Sequence, residues 1–194
     1  MSQSLFASRC ILKVLPMRGV RAFHTVNNKS GLETMETCQP FHLAHMNYAR
    51  LRHPMDHPAM AEFALAMGPI NALAKATPGF VWSFDNDDPE LRNAVHCLRD
   101  DALLMPQLSM WMNLESLRHF AFKSGHAMYY KRKREWFTDD VKPPFAVCWW
   151  RPAGANDPPT LEEAFARCDL LREVGPSPDA FDFSTAKAYQ MPVT

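Results

Sequence analysis

The chain has 194 residues, of which 47% are hydrophobic and 22% are charged, and its formal net charge is zero. This length and composition are typical of one globular domain with an extension. The balanced charge, without a basic stripe of interleaved aromatic residues, argues against a nucleic-acid partner, and the lack of an apolar run near ~18 residues argues against a membrane partner.

Residues 1–32 differ in composition from the rest of the chain. The first 25 residues hold four of the 21 basic residues and none of the 21 acidic ones, and the first acidic residue is Glu33. A basic, acid-free amphipathic segment is typical of an organelle presequence, and residues 21–25 resemble a mitochondrial processing site. We expect residues 1–32 to be a presequence, or else a disordered basic extension, and the mature protein to reside in the mitochondrial matrix.

The cysteines show no pattern that indicates a metal site or a redox pair. The five are Cys10, Cys38, Cys97, Cys148 and Cys168. Wide spacing and an odd number predict free thiols in a reducing compartment, with Cys148 as a small core residue.

A strand, a loop and a helix are predicted in the first part of the mature chain. Residues 41–48 alternate between apolar and polar side chains, which predicts a first strand. A proline-containing loop follows, and Asp56 is placed to cap a helix that begins near Pro58. Apolar residues at helical spacing continue this helix to just before Pro78, with a kink or a missing hydrogen bond at Pro69.

Two further strands and a helix follow. Residues 80–84 predict the second strand and residues 104–112 the third. Asn113 or Ser116 is placed to open a helix over residues 114–123, and Gly125 breaks it.

The last elements are a helical piece, a strand and a C-terminal helix. Residues 126–137 predict the helical piece and residues 145–150 the fourth strand. Thr160 is the expected N-cap of the last helix, with Glu163 completing a capping box. Residues 181–183 alternate and predict a short edge strand.

The order of elements predicts a ferredoxin-like α+β fold, β-α-β-β-α-β with a C-terminal helix and a four-stranded antiparallel sheet. The domain spans residues 40–184, and residues 185–194 are a tail. Trp149 and Trp150 point to opposite faces of one strand, so both faces of the sheet are partly apolar. A second subunit is the simplest cover for the face without helices, which predicts a homodimer.

Short motifs spread over residues 40–184 occur in a characteristic order. They comprise residues 50–52 with Pro54 and Asp56, residues 70–74, 78–82, 124–126 and 134–137, residues 149–150 with Pro152 and Gly154, and residues 159–164. Together they resemble an uncharacterised family, catalogued as a domain of unknown function, in the dimeric α+β barrel superfamily.

That resemblance implies a pocket between sheet and helices in each subunit. Members of the superfamily include cofactor-free monooxygenases, haem-degrading enzymes, chlorite dismutase-like haem proteins, muconolactone isomerases and polyketide cyclases. Because these chemistries differ, the resemblance implies a fold and leaves the reaction open.

The candidate catalytic residues are His126 and Arg50. His126 follows Gly125 at the helix break, and histidine can shuttle a proton near neutral pH or ligate haem. The alternative for His126 is a packing histidine that bonds a backbone carbonyl. Arg50 follows the end of the first strand, where a guanidinium can fix a carboxylate or an enolate.

Aromatic and amide side chains are the candidates for substrate binding. Tryptophans on strands can line an apolar pocket, and amides can supply polar contacts within it. These candidates are Asn47, Asn71, Trp82, Trp111 and Trp149.

No metal site is expected. His42 and His45 lie three residues apart on a strand and face opposite sides. His53 and His57 share a loop with Asp56, but their spacing matches no zinc pattern.

These residues and the resemblance predict a small-molecule enzyme, monooxygenase-like or isomerase-like, that acts on an apolar aromatic or polyketide-like ligand. No cofactor is predicted. Two alternatives stay open: a non-catalytic ligand-binding module, and a haem-binding protein with His126 as axial ligand.

Overall fold

The computed structural model describes residues 41–84, 95, 98–155 and 157–192. The predicted presequence, the processing stretch and three of the cysteines (Cys10, Cys38 and Cys97) lie outside the described residues. The presequence and the mitochondrial location therefore stay predictions.

Four antiparallel strands form one sheet. They are β1 (Phe41–Arg50), β2 (Phe80–Ser83), β3 (Leu104–Trp111) and β4 (Ala146–Pro152), in the spatial order β2-β3-β1-β4. The first strand lies between β3 and β4 and pairs with both. The predicted α+β class and ferredoxin-like strand arrangement are confirmed.

In the described residues, four α-helices connect or flank these strands, besides helical residues at 95 and 98–99. They are α1 (Ala61–Ala76), α2 (Leu114–Lys123), α3 (His126–Lys131) and α4 (Leu161–Val174), with short 3-10 turns at Pro58–Met60 and Lys133–Glu135. Helix α1 continues through Pro69, and the predicted break at Gly125 separates α2 from α3. In the described part of the chain, no helix has the length and apolar character needed to cross a membrane.

Two predicted helix caps are present and two details differ. Asn113 Oδ1 accepts a hydrogen bond from Ser116 N at 2.9 Å, and Thr160 Oγ1 accepts one from Glu163 N at 3.2 Å. The predicted cap at Asp56 is wrong, because the first turn is capped by His57, whose Nδ1 accepts from Ala59 N at 3.2 Å. The Glu163 carboxylate turns towards β4 instead of completing a capping box.

Side-chain alternation along the strands creates two different sheet faces. Leu43, His45 and Asn47 of β1 point to the face on which α1 and α2 pack, called the cavity face below. Ala44 and Met46 point to the opposite face, called the α4 face, which carries a continuous apolar core.

Helix α4 covers the face that was expected to need a second subunit. Its inward side chains pack against Ala44, Met46, Val147 and Trp149. They are Leu161, Ala164, Phe165, Cys168 and Leu171. The premise of an open apolar face is therefore wrong, and the homodimer stays a prediction without that support. Trp149 and Trp150 do point to opposite faces, as predicted.

The C-terminal segment packs on the sheet rather than forming a free tail. Phe181 bridges Cys148 at the outer edge of β4, with the two N–H···O distances at 2.6 and 3.0 Å. Further along, Trp150 Nε1 donates to the Tyr189 carbonyl at 3.0 Å, and Ala186 is buried. The ordered packing therefore extends beyond residue 184.

A sharp turn before β2 gives a test of the local packing. Gly79 has φ +86°, and a Cβ at this position would lie 2.8 Å from Ser116 Cβ and overlap the Ser116 hydroxyl. Gly154 has φ +81° with no described atom within 4 Å of such a Cβ. Both alanine variants carry the backbone cost of about 1–2 kcal/mol, and we expect Gly79→Ala to lose about 1–3 kcal/mol more from overlap.

Urea unfolding of Gly79→Ala and Gly154→Ala measures this difference directly. The double variant Gly79→Ala, Ser116→Gly should recover the extra loss. Equal free energies of unfolding for the two single variants would contradict the proposed close packing of the turn against α2.

Candidate functional site

A large cavity lies between the cavity face of the sheet and the helices α1, α2 and α3. Its volume is about 590 Å³, within the range of sites that hold drug-sized ligands. Most of its wall is apolar or aromatic. The α1 and α2 side of the wall is formed by Phe63, Ala66, Met67, Ile70, Ala74, Leu117 and Phe120.

The floor of the cavity is polar, unlike its walls. His45 of β1 is paired with Ser109 of β3, and two residues further along, Asn47 is paired with Gln107. All four side chains line the cavity. Directly paired residues on one face have Cβ atoms about 5 Å apart, so these groups form a compact polar patch under an apolar space.

Ser109 is held in place by a neighbouring tryptophan. Trp111 Nε1 donates to Ser109 Oγ at 2.9 Å, which leaves the hydroxyl proton available to an acceptor in the cavity. Within the described residues, the amides of Asn47 and Gln107 form no side-chain hydrogen bond. The floor therefore offers unused donors and acceptors to a ligand.

His45 is an uncharged imidazole at neutral pH. His45 is only 8% exposed. Its burial and, as the smaller cause, repulsion from His126 lower its pKa from the ordinary 6.5 to about 4. Its ring packs edge-on against Phe183, with ring centroids 5.5 Å apart. A neutral ring can donate with one nitrogen and accept with the other.

His126 opens α3 with its ring oriented by the preceding helix. Its Nδ1 lies 3.0 Å from the Ala121 carbonyl. Because a carbonyl oxygen can only accept, Nδ1 carries a proton, and in the neutral imidazole the lone pair therefore lies on Nε2. The Ser124 hydroxyl accepts from His126 N at 3.2 Å and donates to the Phe120 carbonyl at 2.6 Å, which secures the break between α2 and α3.

A family model, described as a domain of unknown function (DUF3291), matches residues 42–192. The chain belongs to this family. No curated protein matches the sequence. A solved structure, that of PA3566 from Pseudomonas aeruginosa, is similar at 12% identity with a TM-score of 0.38, over 60% of this chain and 98% of that chain.

The DUF3291 domain brings four of the seven predicted site residues to the cavity. His126, Asn47, Asn71 and Trp111 line it. Trp111 also stacks on Phe120, with ring centroids 5.3 Å apart. The His126 side chain lines the cavity, as predicted. It also bonds a backbone carbonyl, which is the alternative role.

Arg50, Trp82 and Trp149 lie elsewhere. Arg50 Nε contacts Asp101 at 2.9 Å and its Nη1 contacts Asp140 at 3.5 Å, so this guanidinium joins two loops at the end of β1. Trp82 and Trp149 belong to the α4 face. Trp149 is fully buried there, and its Nε1 donates to the Glu163 carboxylate at 3.1 Å. The sequence places tryptophans on strands but does not say which face holds the cavity.

Three floor residues and one cation were missed as site residues. His45, Gln107 and Ser109 alternate with buried apolar neighbours on β1 and β3, which is a readable signal of a polar stripe on one face. Lys133 lines the cavity and follows His126 by seven residues, the spacing of one helical face.

The described residues contain no group of three His, Cys, Asp or Glu side chains suited to hold a metal ion. Asp182 lines the cavity near Phe183, but its carboxylate accepts from Ser184 N at 2.8 Å and Thr185 N at 2.9 Å. The polar groups of the floor are an imidazole, two amides and a hydroxyl, and the lining also contains charged side chains, among them Lys133.

The lowered pKa of His45 predicts a pH-dependent stability. Between pH 6.5 and about 4 the unfolded chain binds a proton at His45 and the folded chain does not, so stability falls as the pH falls through this window. Over the full window a shift of this size corresponds to roughly 3–4 kcal/mol. Urea unfolding at pH 7 and pH 4.5 measures the loss.

In the variant His45→Gln, the loss of unfolding free energy between pH 7 and pH 4.5 should be smaller than in the wild type by about 2 kcal/mol. His53→Gln, at an exposed loop position, is the matched control and should leave the loss as in the wild type. An unchanged pH dependence in His45→Gln would contradict the buried neutral imidazole.

Proposed function

We propose that this DUF3291 protein is a small-molecule enzyme that acts by proton transfer on an apolar, aromatic or polyketide-like ligand, in the manner of an isomerase or a cofactor-free monooxygenase. The observation that carries the proposal is the pairing of two imidazoles, His45 and His126, in one aromatic cavity. Acid–base residues in an otherwise apolar pocket are the usual composition of such sites.

His126 is the proposed general base. Its Nδ1–H is bonded to the Ala121 carbonyl, so the lone pair of Nε2 is free to take a proton from an enol, a phenol or an acidic C–H of the ligand. The aromatic ring of Phe120, with its centroid 4.8 Å from that of His126, limits the access of water on one side of the imidazole.

The floor is proposed to stabilise the oxyanion that this deprotonation creates. The amide N–H groups of Asn47 and Gln107 and the Ser109 hydroxyl can donate to a negatively charged oxygen. In an isomerase-like reaction the proton returns to a different carbon of the ligand. In a monooxygenase-like reaction the deprotonated ligand is oxidised by dioxygen, so that a CH₂ group becomes a carbonyl with one oxygen atom and the other oxygen atom leaves as water.

The first test identifies the ligand and follows its fate. The protein is purified from its own cells, the bound molecule is extracted and identified by mass spectrometry, and it is returned to the protein in D₂O under air. We expect a change in the ligand mass from deuterium or oxygen. His126→Gln should lower the rate about 10²-fold or more, because it removes the general base.

His119→Gln is the matched control, since His119 is an exposed histidine of α2. This variant should react as fast as the wild type. A ligand that binds and is returned unchanged by the wild type would contradict the enzyme proposal and favour the non-catalytic binding module. Equal rates for His126→Gln and the wild type would remove the role of His126.

A haem-binding protein is the second candidate, and one observation favours it. Metal-ligating histidines donate their other ring N–H to a carbonyl or a carboxylate, and His126 Nδ1 has such a partner in the Ala121 carbonyl. Haem titration with absorbance detection separates the two candidates. A Soret band that is lost in His126→Gln and kept in His119→Gln would favour the haem protein.

A further inference from the structure

Lys133 is the cation of the cavity wall that has no carboxylate partner among the described residues. It lines the cavity and is half-buried, whereas Lys131, Arg132 and Arg134 beside it are exposed. The described residues place no carboxylate within salt-bridge distance of its Nζ. Its positive charge is therefore not offset by a carboxylate of the described residues.

Two aromatic rings hold this ammonium group at the cavity mouth. Lys133 Nζ lies 4.8 Å from the centroid of the Tyr130 ring and 5.8 Å from that of the Phe145 ring. Cation–π contacts of this kind orient a lysine but leave its N–H donors unused. Tyr130 and Phe145 also line the cavity, so the ammonium group lies at the boundary between apolar wall and solvent.

The other charged groups of the lining already have partners. The Asp139 carboxylate lies 3.9 Å from Arg134 Nε, and the Asp182 carboxylate accepts from backbone N–H groups of Ser184 and Thr185. Repulsion of an anion by these carboxylates is reduced accordingly, while the charge of Lys133 is not offset.

We propose that Lys133 anchors a ligand that carries one anionic group, such as a carboxylate, on an apolar or aromatic body. The body fills the cavity, its oxygen-bearing end meets the floor, and its anion contacts Lys133 at the mouth. This inference rests on the proposed ligand-binding function of the cavity. It transfers the anchoring role expected of Arg50 to a residue whose charge is not already paired.

A matched pair of fluorescent probes tests the proposal. 8-Anilinonaphthalene-1-sulfonate and N-phenyl-1-naphthylamine share one aromatic skeleton, and only the first carries an anion. We expect Lys133→Met to weaken binding of the sulfonate about tenfold, the effect of one lost charge-assisted contact, and to leave binding of the uncharged probe unchanged. Lys133→Arg should bind the sulfonate nearly as the wild type does.

Two controls locate the effect. Lys131→Met removes the same charge at an exposed position outside the lining and should leave both affinities unchanged. Ala66→Trp fills the cavity from α1 and should weaken both probes, whereas Ala72→Trp, on the exposed side of the same helix, should weaken neither. Circular dichroism verifies that each variant is folded.

The outcomes separate this inference from the proposed function. The anchor would be overturned if the protein bound the uncharged probe and Lys133→Met left the affinity for the sulfonate unchanged. The cavity would then remain a ligand site. Equal weakening of both probes in Lys133→Met would also overturn it, since Lys133 would then act by packing. Failure of the wild type to bind either probe would overturn both the anchor and the ligand-binding cavity.

Discussion

The alternation of side chains along β1 is the constraint on which the rest of the structure depends. This strand pairs on both edges and has packing on both faces. A register slip of one residue would exchange the two faces, placing His45 and Asn47 in the apolar core under α4 and turning Ala44 and Met46 to the cavity. The free-energy cost of burying such polar groups without partners fixes the register and, with it, the cavity floor.

The polar floor differs from the rest of the core in what its side chains face. Asn47 and Gln107 are half-buried and open to the cavity, and His45, although buried, is held neutral by its lowered pKa. The α4 face shows the alternative, since the fully buried strand residues beneath α4 are apolar and the indole N–H of Trp149 is satisfied by Glu163. The contrast between the two faces of one sheet is the physical reason to assign ligand binding to the cavity face.

The bounds of most helices and strands could be predicted because they depend on residues close in sequence. The choice of the face that holds the cavity could not, because it depends on packing between distant elements. The caps at Asn113 and Thr160 and the break at Gly125 follow from side chains within four residues of the feature. The face that each strand residue occupies follows from alternation, but the choice of which face holds the cavity depends on where α4 docks. For that reason Trp111 lies on the cavity face, while Trp149, equally aromatic and equally strand-borne, lies on the α4 face.

The position of α4 changes the argument about assembly. In a sheet with helices on one face only, a second chain would have to cover the other face, yet here α4 supplies that cover within the same chain. The cavity is likewise lined from end to end by residues of one chain, from β1 to the C-terminal segment at Phe183. A second subunit that covered the α4 face of the sheet directly would have to displace α4, so an open sheet face gives no argument for a homodimer.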